Sequence, residues 1–332
     1  MRVVAAIDKF KGTVTAAQAA AAIGSALWEL DHDCDEVPLA DGGEGTLEVL
    51  GGPNRTTLVT GPLGDPVRAE WRFSQDFAVI EMARASGLVL AGGEEGNDPI
   101  AATTIGTGEL IDTALDAGAK RIMVCLGGSA TTDGGLGAVR AIHAPARLRA
   151  TELLVACDVT TLFGDAARVF GPQKGASPAQ VELLTRRLER VAQIYEEQYG
   201  IDVRPIPGGG AAGGLAGGLA ALGGKLIPGF DLMADETNLA DTVAEADVVI
   251  TGEGYLDGQS FEGKVVGGVV EIARSLGKPV GAICGDVDDD ADLDADLPVV
   301  SLVREFGKDE AFEQPQRCIR RAVPLLLERL GR

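Results

Sequence analysis

Three short segments of this sequence combine glycines with charged side chains directly after apolar runs. They are 8–12 (Asp-Lys-Phe-Lys-Gly), 41–46 (Asp-Gly-Gly-Glu-Gly-Thr) and 251–254 (Thr-Gly-Glu-Gly). Glycine lets the backbone approach a ligand closely, and successive backbone N–H groups bind anions. Each segment therefore predicts a loop suited to a phosphate group or a metal ion.

Four lysines lie in or beside glycine-containing loops, at Lys9, Lys11, Lys174 and Lys264. Lysine is rare in this chain, which has eight lysines against 21 arginines. An ammonium group beside flexible backbone neutralises phosphate as a point charge. The positions favour a phosphorylated ligand, although a single loop lysine is about as often only a solvated side chain.

A fourth loop, 127–135 (Gly-Gly-Ser-Ala-Thr-Thr-Asp-Gly-Gly), follows a predicted strand at 121–126 and precedes a predicted helix. Backbone N–H groups at the start of a helix, together with the helix dipole, favour an anion there. The hydroxyls of the loop add donors, and Asp133 offers either a metal ligand or a base.

Two other glycine patterns fit known motifs poorly. Residues 258–264 match the spacing of a phosphate-binding P-loop, but Val265 replaces the Ser or Thr that would hold Mg²⁺. Residues 208–213 match a dinucleotide-binding fingerprint, but Pro205 and Pro207 break the strand that should precede it. We therefore reject a P-loop and expect the second run to serve close helix packing.

Composition narrows the possible functions. The 332 residues include 29 Lys and Arg against 50 Asp and Glu, a net charge of −21, which argues against a nucleic-acid partner. Five dispersed cysteines without a Cys-x-x-Cys pair favour a reducing compartment. The first apolar run is too short for a signal peptide and no stretch reaches a membrane span, so we expect a cytoplasmic protein without a membrane partner. Only two histidines are present, which leaves acid–base chemistry to carboxylates.

The order of predicted elements indicates how these loops are positioned. Strands and helices alternate up to about residue 50, antiparallel strands follow from 57 to 82, and the alternation resumes after 241. Two strands from the start and three from the end predict a parallel sheet of order 2-1-3-4-5. In such sheets ligands bind beyond the carboxyl ends of the strands, where the order reverses.

The same reasoning predicts two domains. Residues 1–57 plus 240–332 would form the parallel-sheet domain, and residues 58–239 an inserted α/β domain with mixed and antiparallel strands. The active site is expected in the cleft between them.

Several motifs, in order along nearly the whole chain, resemble those of the bacterial glycerate kinase family that includes the glycerate 2-kinases. They comprise 8–12, 40–46, 103–109, 127–135, 170–175 (Phe-Gly-Pro-Gln-Lys-Gly), and 251–254 with Asp257, Gln259, Gly263 and Lys264. The resemblance implies a flavodoxin-like, doubly wound parallel sheet interrupted by a second domain. It also implies ATP-dependent phosphorylation of D-glycerate, with ATP and Mg²⁺ as cofactors and 2-phosphoglycerate as the favoured product, although the choice between C2 and C3 stays open.

Phosphoryl transfer depends on positioning and on charge neutralisation, and this assigns roles to the motif residues. The predicted catalytic residues are Asp41, Asp133 and Lys11. The predicted phosphate- or nucleotide-binding residues are Lys9, Gly42, Gly43, Gly127, Gly128, Ser129, Lys174, Gly252, Gly254 and Lys264. The predicted substrate-binding residues are Arg84, Ser86 and Thr107. The predicted metal ligands are Asp8, Glu253 and Asp257. Which aspartate acts as the base, and the oligomeric state, stay open.

Two segments, 141–152 and 160–169, are shorter than in the family, which affects peripheral contacts more than the chemistry. Two other functions also stay open. One is a kinase for another small hydroxy acid or polyol, because 127–130 also resembles the phosphate loop of galactokinase-like kinases. The other is a non-catalytic protein that binds a small anion or a dinucleotide through the glycine run at 208.

Overall fold

The structure, a computed structural model, describes residues 1–261, 263–288 and 296–332. Its strands, in chain order, are β1 (Arg2–Ile7), β2 (Asp33–Pro38), β3 (Arg55–Thr60), β4 (Pro66–Ser74), β5 (Phe77–Glu81), β6 (Arg121–Cys125), β7 (Glu152–Ala156), β8 (Lys225–Ile227), β9 (Val248–Leu256), β10 (Val280–Val287) and β11 (Val299–Ser301).

The α-helices, in chain order, are α1 (Ala16–Glu29), α2 (Thr46–Val49), α3 (Ala83–Ser86), α4 (Gly93–Gly96), α5 (Ile105–Asp116), α6 (Leu136–Ala141), α7 (Ala166–Phe170), α8 (Pro178–Tyr199), α9 (Ala211–Ala221), α10 (Gly229–Glu236), α11 (Leu239–Ala244), α12 (Val265–Ser275), α13 (Leu302–Phe306), α14 (Lys308–Glu313) and α15 (Pro315–Arg329). Short 3₁₀ turns lie at Pro145–Ala150, Phe163–Asp165, Pro172–Lys174 and Gly258–Phe261. Within the described part of the chain, no helix is both long and apolar enough to cross a bilayer.

The chain divides into two compact units. Unit 1 is Met1–Asp41 with Phe230–Arg332, and unit 2 is Gly42–Gly229. The boundaries predicted from the sequence, after residues 57 and 239, lie further along the chain. The assignment of domains stays a prediction.

Unit 1 is built on a five-stranded sheet of order β11-β10-β9-β1-β2, in which every pairing is parallel. This confirms the predicted order 2-1-3-4-5. Residues 3–7 of β1 are fully buried because helices cover both faces, and apolar residues of α1 and α15 pack on one face while those of α11 and α12 pack on the other. The helix α1 begins at a capping box formed by Thr15 and Gln18.

Unit 2 contains a six-stranded sheet of order β3-β4-β5-β6-β7-β8. The first two pairings are antiparallel and the other three are parallel, which confirms the predicted mixed sheet. The core of this unit joins β5, β6 and β7 to α5 and α9. Helix α8 begins at a capping box formed by Ser177 and Gln180, and Gly200 ends it in the left-handed region.

The glycine run at 208 packs as expected rather than forming a dinucleotide loop. Residues 212–214 within α9 have left-handed backbone angles. A Cβ on Gly214 would lie 2.7 Å from the Cα of Gly134, and one on Gly218 would lie 2.9 Å from the carbonyl oxygen of Gly134. The small residues therefore let α9 approach the end of the 127–135 loop.

The segment after β11 does not form one continuous helix. Gly307, with φ of +85°, separates α13 from α14, and Pro315 begins α15. Glycine in the left-handed region ends a helix and proline begins one, so the segment forms three helices instead.

Candidate active site

In unit 1, two of the predicted loops lie side by side at the carboxyl edge of the parallel sheet. The N–H of Asp8, which follows β1, donates to the carbonyl of Gly252 in β9 at 2.9 Å. A Cβ on Gly252 would lie 1.7 Å from the carbonyl oxygen of Ile283, and one on Gly254 would lie 3.0 Å from the N of Lys11. These two glycines are therefore required by close backbone packing at this edge.

The negative charges of the carboxylates at this edge are only partly balanced by nearby ammonium groups. Asp8 is 9% exposed, and burial followed by the charge of Asp41 raises its pKa to about 6, although the nearby ammonium groups of Lys9 and Lys264 oppose the shift. Burial likewise raises the pKa of Glu253 to about 7, and the charge of Asp8 adds to this shift. The Oε1 atom of Glu253 is buried without a hydrogen-bond partner among the described residues. We call Asp8, Asp41 and Glu253 the acidic cluster.

Asp257, the third predicted metal ligand, has hydrogen-bond partners in the described part of the chain, unlike the Oε1 atom of Glu253. Its Oδ1 accepts hydrogen bonds from the N–H and the hydroxyl of Ser260, at 3.1 and 3.2 Å. The carboxylate therefore caps the turn Gly258–Phe261. Among residues 1–261, 263–288 and 296–332, no three His, Cys, Asp or Glu side chains are already arranged to hold a metal ion.

In unit 2, the loop that starts at Gly42 packs against the 127–135 loop. Gly42 has φ of +76°, and a Cβ there would lie 2.8 Å from the Cβ of Ala156. A Cβ on Gly127 would lie 3.2 Å from the Cα of Gly43. Two predicted phosphate-binding loops are therefore neighbours within this unit.

A buried carboxylate that the sequence analysis did not single out holds the first of these loops. Glu81 is 4% exposed, and its Oε1 accepts hydrogen bonds from the N–H groups of Gly45 and Leu47, both at 3.0 Å. Its position directly after the apolar residues of β5 is the only sequence signal for this role. Glu81 is a positioning residue for the segment that continues into α2.

Arg84, predicted to bind the carboxylate of the substrate, is already bound to three carboxylates of the chain. Its Nε donates to Glu81 at 3.0 Å, its Nη1 to Glu70 at 2.6 Å and its Nη2 to Glu48 at 2.5 Å. Because all three nitrogens are engaged, Arg84 would have to leave these carboxylates to bind a substrate, and its role as a substrate ligand stays a prediction. Arg84 compensates the buried charge of Glu81.

Ser86 and Thr107, also predicted to contact substrate, are both fully buried and pair with each other. Their hydroxyl oxygens are 2.9 Å apart. The pair ties α3 to α5, so neither hydroxyl is presented at a surface. The sequence could not show this, because the two residues lie 21 positions apart.

Asp133 is half-buried, and both of its carboxylate oxygens accept hydrogen bonds from groups of the chain. Its Oδ2 accepts from the N–H and hydroxyl of Thr104, at 2.9 and 2.8 Å, and from the N–H of Gly137 at 3.2 Å, while its Oδ1 accepts from the N–H of Gly135 at 3.0 Å. A carboxylate has about four lone-pair positions, and four donors fill them. The side chain organises the start of α6, and its role as a base or metal ligand stays a prediction.

Lys174 is buried beside the same loop, with 2% of its surface exposed. Its Nζ donates to the carbonyl of Thr131 at 2.7 Å, and burial lowers its pKa to about 7. Asn97 joins the two segments through Nδ2, which donates to the carbonyls of Ala130 and Lys174. The predicted phosphate contact would require this lysine to leave its buried position.

The structure thus separates the predicted residues into groups. Unit 1 brings together Asp8, Lys9, Lys11, Asp41, Gly252, Glu253, Gly254, Asp257 and Lys264. Unit 2 brings together Gly42, Gly43, Gly127, Gly128 and Ser129 at its two glycine loops, whereas Lys174 is buried inside the unit and Asp133 is half-buried at the end of the 127–135 loop.

Comparison with known proteins gives a consistent result. The family model described as "Glycerate kinase family" matches residues 3–146 and 141–329. The "Glycerate 2-kinase" of Escherichia coli is 41% identical over 320 residues, covering 84% of this chain and 84% of that protein. The "Glycerate kinase" of Halalkalibacterium halodurans is 42% identical over 321 residues, covering 85% of this chain and 84% of that protein. A crystal structure titled "putative glycerate kinase 2 from Salmonella typhimurium LT2" superposes with a TM-score of 0.86 at 37% identity, covering 99% of this chain and 98% of that one.

Proposed function

Because the chain belongs to the glycerate kinase family, we propose that it transfers the γ-phosphoryl group of ATP to glycerate, giving 2-phosphoglycerate and ADP. The observation that carries this proposal is the acidic cluster with Lys9 and Lys264 at the carboxyl edge of the unit 1 sheet. Ammonium groups beside glycine loops neutralise phosphate oxygens, and carboxylates hold a metal ion or accept the proton of the attacking hydroxyl, which are the parts that phosphoryl transfer needs.

Magnesium fits the acidic cluster on chemical grounds. Mg²⁺ prefers carboxylate oxygens, and the Oε1 atom of Glu253 is a buried acceptor with no hydrogen-bond partner among the described residues. Burial of Asp8 close to Glu253 leaves two negative charges that a cation would compensate. Asp8 and Glu253 would hold the ion, which supplies neutralisation of the phosphate oxygens when bound.

Asp41 is the proposed base, because it lies in the loop that follows β2 and its charge reaches Asp8. Its carboxylate takes the proton of the glycerate hydroxyl as that oxygen forms a bond to the γ-phosphorus. The bond between phosphorus and the bridging oxygen breaks, and ADP leaves with that electron pair. Lys9, Lys11 and Lys264 neutralise the phosphate oxygens, and the substrate is held in line by the loops.

The glycine loops of unit 2 are proposed as a further set of anion donors. Gly127 and Gly128 follow β6 directly, and Ser129 is held by a bridge to Gly87. Asp133 keeps this loop in shape through its hydrogen bonds to Gly135 and Gly137. Pre-organised N–H groups bind phosphate without further reorganisation.

A product-specific assay tests this proposal. The purified chain is incubated with MgATP and D-glycerate, with erythronate and glycerol as alternative acceptors, and ADP release is followed. The proposal expects turnover with glycerate above that with the other two. Enolase is then added with and without phosphoglycerate mutase, because enolase consumes 2-phosphoglycerate directly. Absence of ADP release with glycerate from the folded chain would refute the activity, and a strict need for the mutase would assign phosphorylation to C3.

A further inference from the structure

A cavity opens in unit 2 beside α6 and α8, and the end of the 127–135 loop, Thr132 and Asp133, forms part of its wall. Its volume is about 630 Å³, within the range of roughly 300–1,000 Å³ typical of small-molecule sites. Apolar side chains form most of its wall, among them Ile100, Leu136, Leu184, Val191 and Ile194. In the mechanism proposed above, no side chain of this cavity contacts the reacting groups.

Three arginines also line the cavity, which is unusual in a chain with a net charge of −21. Arg140 has no hydrogen bond or ion pair to another described residue. Arg187 uses Nη1 on the carbonyl of Ile100 at 2.9 Å, and Arg190 reaches Gln193 at 3.0 Å. The guanidinium groups of Arg140 and Arg187 therefore face this space without a carboxylate partner.

The two carboxylates that line the cavity, Glu109 and Asp133, make no ion pair with these arginines, because their oxygens accept hydrogen bonds from other groups. Glu109 accepts from the N–H and hydroxyl of Thr60, at 2.6 and 3.0 Å. Asp133 accepts from four donors of its own loop and of Thr104. Thr132 also lines the cavity, and its buried hydroxyl has no hydrogen-bond partner among the described residues. The wall is thus mostly apolar, and it carries arginine side chains and one buried hydroxyl that could hydrogen-bond an anion.

The cavity lies beside the junction of the two stretches of this chain that the family model matches. The alignment with the E. coli protein runs over 320 positions but uses 84% of the 332 residues here, about 279, so roughly 40 positions of that relative have no counterpart. The two matched stretches of the family model meet at residues 141–146. Ala141 and His143, at this junction, both line the cavity.

We propose that this cavity binds a small organic anion with a flat apolar body and one acidic group, a carboxylate or a phosphate. The apolar body would pack between α6 and α8, and the acidic group would meet Arg140 and Arg187. A bound anion would touch Thr132 and Leu136, at the two sides of Asp133. The proposed site does not depend on the kinase activity proposed above.

Fluorescence of 8-anilinonaphthalene-1-sulfonate, an aromatic anion of this shape, tests the proposal on the folded chain. We expect one saturable class of sites and a rise in melting temperature with probe concentration. The double variant Arg140→Gln, Arg187→Gln should weaken binding by about tenfold or more, because charge-assisted hydrogen bonds are lost. Arg68→Gln, an exposed arginine of β4 outside the cavity, is the matched control and should bind as the wild type does.

Two further arms separate the possible explanations. Ala141→Trp should fill the cavity and abolish probe binding with no change in charge, and the arginine variants decide the matter if this variant does not fold. Displacement by 1-naphthoate or by 1-naphthyl phosphate identifies the preferred acidic group, with neutral 1-naphthylmethanol as the weak competitor. The proposal is overturned if the folded wild type shows no saturable binding, if the arginine double variant binds equally tightly, or if MgATP displaces the probe competitively.

Discussion

The acidic cluster of unit 1 and the carboxylate of Asp133 in unit 2 share a sequence pattern, but they differ in electrostatic repulsion and in hydrogen bonding. Asp41 and Asp133 are each followed by two glycines. In unit 1, burial and mutual repulsion raise the pKa of Asp8 and Glu253. In unit 2, four donors satisfy Asp133. Glycines beside a carboxylate therefore do not distinguish a reactive group from a structural one, whereas a buried oxygen without a hydrogen-bond partner and repulsion between carboxylates favour a functional site.

Removal of the metal ion should have the largest effect and should act through unit 1. EDTA is expected to abolish ADP release, and excess Mg²⁺ to restore it. Asp8→Asn should raise the Mg²⁺ concentration for half-maximal turnover by about tenfold or more, because one of the two proposed carboxylate ligands of the ion is lost. Asp257→Asn is the matched control, since its carboxylate caps a turn and asparagine caps equally well. Equal magnesium dependence in both variants would contradict the assignment of Asp8.

The buried Lys174 should give unit 2 a pH dependence of stability. Its folded-state pKa of about 7 lies below the ordinary value of 10.5, so the unfolded chain binds more protons between these pH values. Its contribution to the free energy of unfolding should therefore rise with pH in that window, by up to about 1.4 kcal/mol per pH unit, and be lost as the pH falls towards 7.

The variant Lys174→Met isolates this contribution from other titrating groups. Urea unfolding at several pH values should show that the wild type gains stability relative to the variant as the pH rises from about 7 to 9. If the free energies of unfolding of the two proteins changed with pH in parallel, the pKa of Lys174 would not be lowered in the folded chain.

Arg84→Gln should have the smallest effect on catalysis. It therefore separates a residue that binds substrate from one that only stabilises the fold. The KM for glycerate should change by less than about threefold, while the free energy of unfolding should fall by roughly 1–3 kcal/mol, because the buried Glu81 loses its cation. A large rise in the KM for glycerate at unchanged stability would restore Arg84 as a substrate ligand. Arg68→Gln, exposed on β4, is the control for loss of charge.

The sequence predicted the fold of unit 1 well, because short apolar runs that alternate with helices leave few ways to order a parallel sheet. The strand order was confirmed. Side-chain roles in unit 2 were harder, since the partners come from distant segments. Thr104 lies 29 residues from Asp133, and Glu48 and Glu70 meet Arg84 from another helix and strand. Lysine beside glycine predicted a phosphate contact for Lys174, but the segment that carries it packs onto the 127–135 loop and buries the side chain.

The most direct test compares Asp41→Asn with Asp133→Asn in steady-state kinetics, with melting temperatures measured on both. If Asp41 is the base, its variant should lower kcat by about 10² or more and leave the KM for glycerate and the melting temperature nearly unchanged. Asp133→Asn should instead lower the melting temperature, because one oxygen facing several N–H donors is replaced by an amide, and should lower kcat of the folded enzyme less than Asp41→Asn does. Near wild-type kcat for Asp41→Asn, or the larger loss of kcat at unchanged stability for Asp133→Asn, would contradict the account.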